Sequence, residues 1–132
     1  MTVLGKTPHQ AIYDSIFELC RGISENTFDY LPDADAVYPF IHLGDSQSQN
    51  AENVDMYGEC EQVINIWGLR KDRGAIDKLS MEISDGLSLL RQAYGYMIKV
   101  ESIKHTLMVD TSTSKLLLHN VMEVRMRYNR KG

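Results

Sequence analysis

The middle of this chain has no positive charge. Between Gly22 and Leu69 there is no Lys or Arg, while nine acids are present. Cysteine is scarce as well, with only Cys20 and Cys60, far apart and in unlike surroundings. That usage predicts two reduced, buried thiols rather than a disulfide or a metal pair. Metal chemistry has no other foothold. His9, His42, His105 and His119 are scattered over separate elements, with no H-x-x-x-H or C-x-x-C spacing. Gly68, Gly74 and Gly86 lack the spacing and the lysine of a phosphate-binding loop, and there is no nucleophile elbow or Cys-His signature. No apolar run approaches the eighteen or so residues of a membrane span, and no basic, apolar leader opens the chain. The expectation is a protein that stays in the cytoplasm that makes it, binds no cofactor or metal and is not an enzyme. An enzyme would need a pocket gathering His42 with several of the acids.

What is present is an ordinary globular composition. The 132 residues are 43% hydrophobic and 24% charged, enough for one domain over residues 1–132 that buries a core without staples. The clearest pattern lies near the end. From Lys115 to Tyr128, Leu116, Leu118, Met122, Val124, Met126 and Tyr128 fall on one side, interrupted by Asn120. His119, Glu123, Arg125 and Arg127 fall on the other. Two-residue alternation of this length predicts a β-strand with one dry and one wet face, and such a strand needs both partners and a cover.

Earlier, Thr7-Pro8-His9-Gln10 reads as a helix start, with Thr7 as cap and Gln10 closing a capping box. Ile12, Ile16, Leu19 and Ile23 then recur at helical spacing and predict a helix over 8–23. Phe28 to Ala36 reads as an irregular connection. Val37 to Leu43 reads as a short strand stopped by Gly44-Asp45, at an edge or paired only beyond Pro39. Asp45 to Tyr57 is thirteen polar, uneven residues, too many for a hairpin turn. It is either an assembly loop that orders on contact or simply a mobile one. Gly58 to Trp67 predicts a second strand with Cys60, Ile64 and Ile66 inward. Ile76, Leu79, Ile83, Leu87, Leu90 and Tyr94 predict a second helix over about 73–93, with Asp72 as cap.

Tyr96 to Asp110 reads as a third strand whose pattern slips. Ile98 and Val100 are apolar at even positions, but Ile103, Leu107 and Val109 at odd ones, which predicts a bulge at Glu101-Ser102. Thr111 to Ser114 would then be a four-residue hairpin loop closed by Asp110 and Lys115. That register sets Leu107 opposite Leu118 and pairs a core His105 with Asn120. The expected fold is α+β, in the order αββαββ: a four-stranded, mostly antiparallel sheet with two helices packed on one face.

Charge is polarised along the chain. From Arg91 onward eight basic residues outnumber three acids, the reverse of the Gly22–Leu69 stretch. Solvated faces account for this, and so does an acidic side that meets the basic side of a second copy, head to tail. The net charge of -4 argues against wrapping DNA.

Val37-Tyr38-Pro39-Phe40-Ile41-His42-Leu43-Gly44-Asp45 forms a Y-P-F/Y-apolar-x-apolar-G segment. It follows a first helix and precedes a polar loop, a strand ending Ile66-Trp67-Gly68, a long helix and a C-terminal hairpin. This arrangement resembles the small tail-completion proteins of long-tailed bacteriophages, also called tail terminators or tail-to-head joining proteins. The resemblance implies a non-enzymatic virion protein, assembled in the host cytoplasm. It would form a ring, by analogy hexameric, on the head-proximal end of the tail tube, stopping tube polymerisation and joining tail to head. Its partners would be copies of itself, the tail tube protein and a head connector or stopper, with DNA passing through without specific binding. On this reading the interface residues are Asp45, Gln47, Gln49, Asn50, Glu52, Asp55 and Tyr57 of the loop, with Arg125 and Arg127 meeting acids of the adjacent copy. Two alternatives stand beside it: another head–tail connector (stopper or neck) protein, and a non-viral α+β module that takes a ligand or peptide at the edge strand near Tyr38.

Overall fold

The computed structural model describes residues 5–33, 36–50 and 57–130. Helix α1 spans Pro8–Ile23. Thr7 accepts a hydrogen bond from the Gln10 backbone N–H at 3.2 Å, as a cap should. The reciprocal half of the box is not made, because Gln10 Nε2 donates instead to Asp14 Oδ1 at 2.8 Å. A two-residue strand β1 (Thr27–Phe28) follows, then β2 (Phe40–Asn50) and β3 (Tyr57–Leu69). A single 3₁₀ turn, Arg70–Asp72, leads into α2 (Arg73–Ser88). The chain ends with β4 (Gln92–Ala93), β5 (Tyr96–Asp110) and β6 (Leu117–Arg130).

The sheet does not have the four strands expected from the sequence. The sheet is a curled, mixed one of six strands in the order β1-β2-β3-β6-β5-β4. Every neighbour is antiparallel except β1, which runs parallel to β2 at Thr27–Ile41 and Phe28–His42. The two extra strands are two residues each, too short to carry a period. Strand β4 is made by a tight turn, with Tyr94 at φ 48° and Gly95 at φ 91° between the paired Ala93 and Tyr96. Two successive positive φ values suit a two-residue hairpin, and they end the second helical pattern at Ser88 rather than near residue 93. Tyr94 is accordingly 37% exposed instead of buried.

Strand β2 also departs from expectation. It starts just after the cis Tyr38-Pro39 bond but runs through Gly44-Asp45 to Asn50. The register shifts between Leu43 and Ser46, so a bulge at Gly44-Asp45 moves the outward positions from even to odd residues. Gln62, fully buried on β3, holds this bulge, its Nε2 donating to Gly44 O at 3.1 Å and lying 3.4 Å from Asp45 O. Residues 45–50 of the expected loop are therefore strand. Residues 51–56 lie outside the described residues.

Both helices lie on one face of the sheet. Ile12, Ile16 and Cys20 of α1 and Ile76, Ile83 and Leu87 of α2 share one core with Ile41, Cys60, Ile64, Ile66, Met122, Val124, Met126 and Tyr128 of the strands. The β6 alternation is realised from Leu118 to Tyr128, and the bulge in β5 falls between Val100 and Ser102. The β5–β6 register is two residues from the expected one. Asp110 pairs with Leu117, so six residues form the loop, Leu107 faces Asn120 and Leu116 is exposed. His105 stands opposite Met122, exposed, with Nδ1 3.1 Å from Ser80 Oγ. It is not a core histidine paired with Asn120. Asp72 does not cap α2 either, its carboxylate accepting instead from Leu69 N at 2.8 Å.

Candidate assembly surface

The sheet face turned away from the helices collects the polar side chains of β2, β3 and β6 in cross-strand rows. Gln47 stands opposite Glu61, and Glu61 opposite Arg125. In the next row Gln49, Glu59 and Arg127 align in the same way, and Tyr57 lies beyond them opposite Asn129. Arg125 Nη2 is 3.7 Å from Glu61 Oε2, and Arg127 Nε is 3.5 Å from Glu101 Oε2. Both guanidinium side chains are more than 60% exposed, so these pairs contribute at most about 1 kcal/mol each to the fold and leave most of each charge facing solvent. A shallow recess of about 250 Å³ lies over Gln47, Gln49, Glu61 and Arg125, and one of about 310 Å³ over Tyr57, Met97, Lys99 and Arg127.

Of the interface residues expected from sequence, Gln47, Gln49, Tyr57, Arg125 and Arg127 are thus gathered at one end of a single face. Asn50 ends β2 opposite Gly58, while Glu52 and Asp55 lie outside the described residues. Asp45 sits at the bulge, apart from the rows. Gly58 is forced by this packing, since a Cβ there would lie 2.2 Å from Gln49 O and 2.6 Å from Tyr128 Oη.

The other end of the same face holds a group that sequence reasoning missed. Trp67 stacks on His119, with ring centroids 3.7 Å apart and planes at 10°. Asn65 bridges the two histidines. Its Oδ1 accepts from His119 Nε2 at 2.7 Å, and its Nδ2 is 3.4 Å from His42 Nδ1. The buried Trp67 Nε1 has no hydrogen-bond partner among the described residues. Burial pushes both imidazoles below their ordinary value. For His42 the charges of Asp45 and Asp29 offset part of that, and for His119 the charge of Asp110 does, while His42 adds repulsion. The clue in sequence was the even spacing of Asn65 and Trp67 on a strand's wet side. Which histidines they meet depends on the β2–β3 and β3–β6 registers.

This group has a hydrogen-bonded bridge and an aromatic stack but no nucleophile beside a base. Among the described residues no cluster of three or more His, Cys, Asp and Glu could hold a metal ion. Cys20 and Cys60 are buried and free, their thiols pushed up by burial to about 12 and about 11. Among the described residues no helix is long and apolar enough to cross a membrane.

The architecture is an α+β sheet with two helices on one face and a polar second face. It is similar to that of a chain in a solved structure described as the virion of a native gene transfer agent (GTA) particle. The TM-score is 0.61 at 11% sequence identity, and the match covers 98% of this chain and 99% of that one. At that identity the likeness is one of fold. No protein-family model matches the sequence, and no curated protein matches it.

Proposed function

We propose that the chain is a structural, non-enzymatic component of a phage-like particle, and that within it the chain is a tail terminator. In this role it forms a closed ring on the head-proximal end of the tail tube, stops tube growth and presents a surface to the head connector, with DNA passing through the centre. The observation that carries this reading is the fold likeness to a virion chain over essentially the full length of both. The order of elements and the Tyr38-Pro39-Phe40 to Gly44 segment agree with it, as does the polar face on which Gln47, Gln49, Tyr57, Arg125 and Arg127 converge. Arg125 and Arg127 would exchange their exposed partners within the chain for acids of a neighbour at little cost.

The test is tube length. Tail tube protein polymerising in the presence of this chain should give tubes capped at one end and arrested in growth. A stopper or neck protein would leave tube growth unchanged while binding a head connector. Unchanged tube lengths together with no protein at tube ends would overturn the terminator assignment.

A further inference from the structure

The chain carries an apolar knob and an apolar groove toward opposite ends of its sheet. The knob follows β1, at one margin. Tyr30 and Leu31 are each 61% exposed, and Tyr30 is held in place by its ring against Phe28, with centroids 5.6 Å apart. The groove, about 810 Å³, opens between α2 and β5, the fifth strand of six in sheet order. Its walls include Ile76, Leu107 and the 57% exposed Met81.

The groove has polar groups left over. Asn120 lines it, is only 6% exposed, and its side chain makes no hydrogen bond among the described residues. Ser84 Oγ is buried beside it and likewise has no partner among them. The amide of Asn120 opens into the groove and offers a donor and an acceptor to an incoming main-chain amide. Charge sorts the same way. The knob lies between Asp29 and Asp33, in the stretch without Lys or Arg, whereas Arg73 and Asp77 line the groove and Arg70, Lys71 and Asp72 form the turn just before it, three basic residues against two acids.

We infer that the Tyr30-Leu31 knob of one copy seats in the α2–β5 groove of a second copy, with Asn120 meeting its main chain and Arg73 facing its aspartates. A patch and its complement on opposite margins of one molecule form a head-to-tail contact, which builds a ring or a filament rather than a two-fold dimer. The inference rests on the ring reading above and supplies it with a specific joint, distinct from the Arg125–Arg127 face. The occupant is the chain's own knob because apolar exposure and charge of the matching sign occur together there.

The test pairs two single variants of the full chain, Leu31→Cys and Met81→Cys, mixed in equal amounts and oxidised at low salt. Both positions are more than half exposed, and the native cysteines are buried and slow to react. The expected product is the mixed dimer, in excess of either homodimer by about tenfold, because a head-to-tail contact brings unlike positions together. Arg73→Asp or Asp29→Arg alone should lower that yield about two- to fivefold, and the two together restore it. A mixed dimer in merely statistical proportion, or one indifferent to the charge swap, overturns the joint. If rings or tube caps form while cross-linking is statistical, the joint fails and the ring reading stands. If the mixed dimer dominates but only open chains form, the joint stands and the closed ring fails.

Discussion

Acidification should loosen the end of the sheet that holds His42 and His119, and the chain's single tryptophan should report it. Asn65 Nδ2 is a donor, so His42 Nδ1 must accept, and protonating that nitrogen sets donor against donor. His119 donates through Nε2 whether or not it is charged, but a second charge nearby repels it. Both histidines have folded-state values lowered from the ordinary 6.5, with burial the largest cause. The unfolded chain therefore takes up these protons first. The stabilisation is fully present above pH 6.5 and is lost as the pH falls from 6.5 through the lowered native values. Each unit of difference is worth about 1.4 kcal/mol per histidine at most, and the partial exposure of both rings reduces it further. The carboxylates with lowered values, Asp14 and Asp110, act only at much lower pH, which leaves the window from about pH 7 to about pH 5 to the histidines. Urea unfolding followed by Trp67 fluorescence at several pH values measures the effect. The His42→Gln, His119→Gln double variant should flatten the profile. Stability unchanged or rising on acidification, or a slope that survives the double variant, would refute the argument.

Other outcomes follow from the same geometry. Arg125→Glu with Arg127→Glu should weaken multimers at moderate salt yet change monomer stability by no more than about 2 kcal/mol, about 1 kcal/mol for each pair lost, read by sedimentation and by urea unfolding. Gly58→Ala should destabilise by roughly 2–3 kcal/mol because its Cβ collides with backbone, whereas Gly74→Ala, with nothing within 4 Å, should be neutral or stabilise by about 0.5 kcal/mol, both read from the thermal midpoint. Met122→Ala removes a fully buried side chain and should cost roughly 2–5 kcal/mol. Cys20 and Cys60 should resist alkylation near pH 8 until the chain unfolds, since burial keeps both thiols protonated; rapid labelling of the folded chain would contradict their placement.

The parts of this fold legible in the sequence are those whose period runs long enough to leave one solution. Helix α1 and the Leu118–Tyr128 alternation are such cases, as is the slip in β5, where two incompatible apolar sets required a bulge. The β2 extension was hidden because its bulge reverses which residues face out and its polar side chains carry no apolar period. The hairpin register was misread because an Asp110–Lys115 closure is locally attractive, whereas burial of both Leu117 and Leu118 sets the actual pairing. The knob at Tyr30 and the Trp67–His119 stack depend on surface exposure and strand register, which only tertiary packing decides. On the candidate surface, five of the expected interface residues converge because odd positions of β2 after the bulge align with odd positions of β3 and β6.

In the proposed role this chain closes on copies of itself at the end of a tube. Electron microscopy of the chain mixed with tail tubes tests that most directly. Class averages should show a closed ring with a central opening, seated on one end of each tube. Bare tube ends with the chain remaining monomeric at concentrations well above those of the tubes would contradict it.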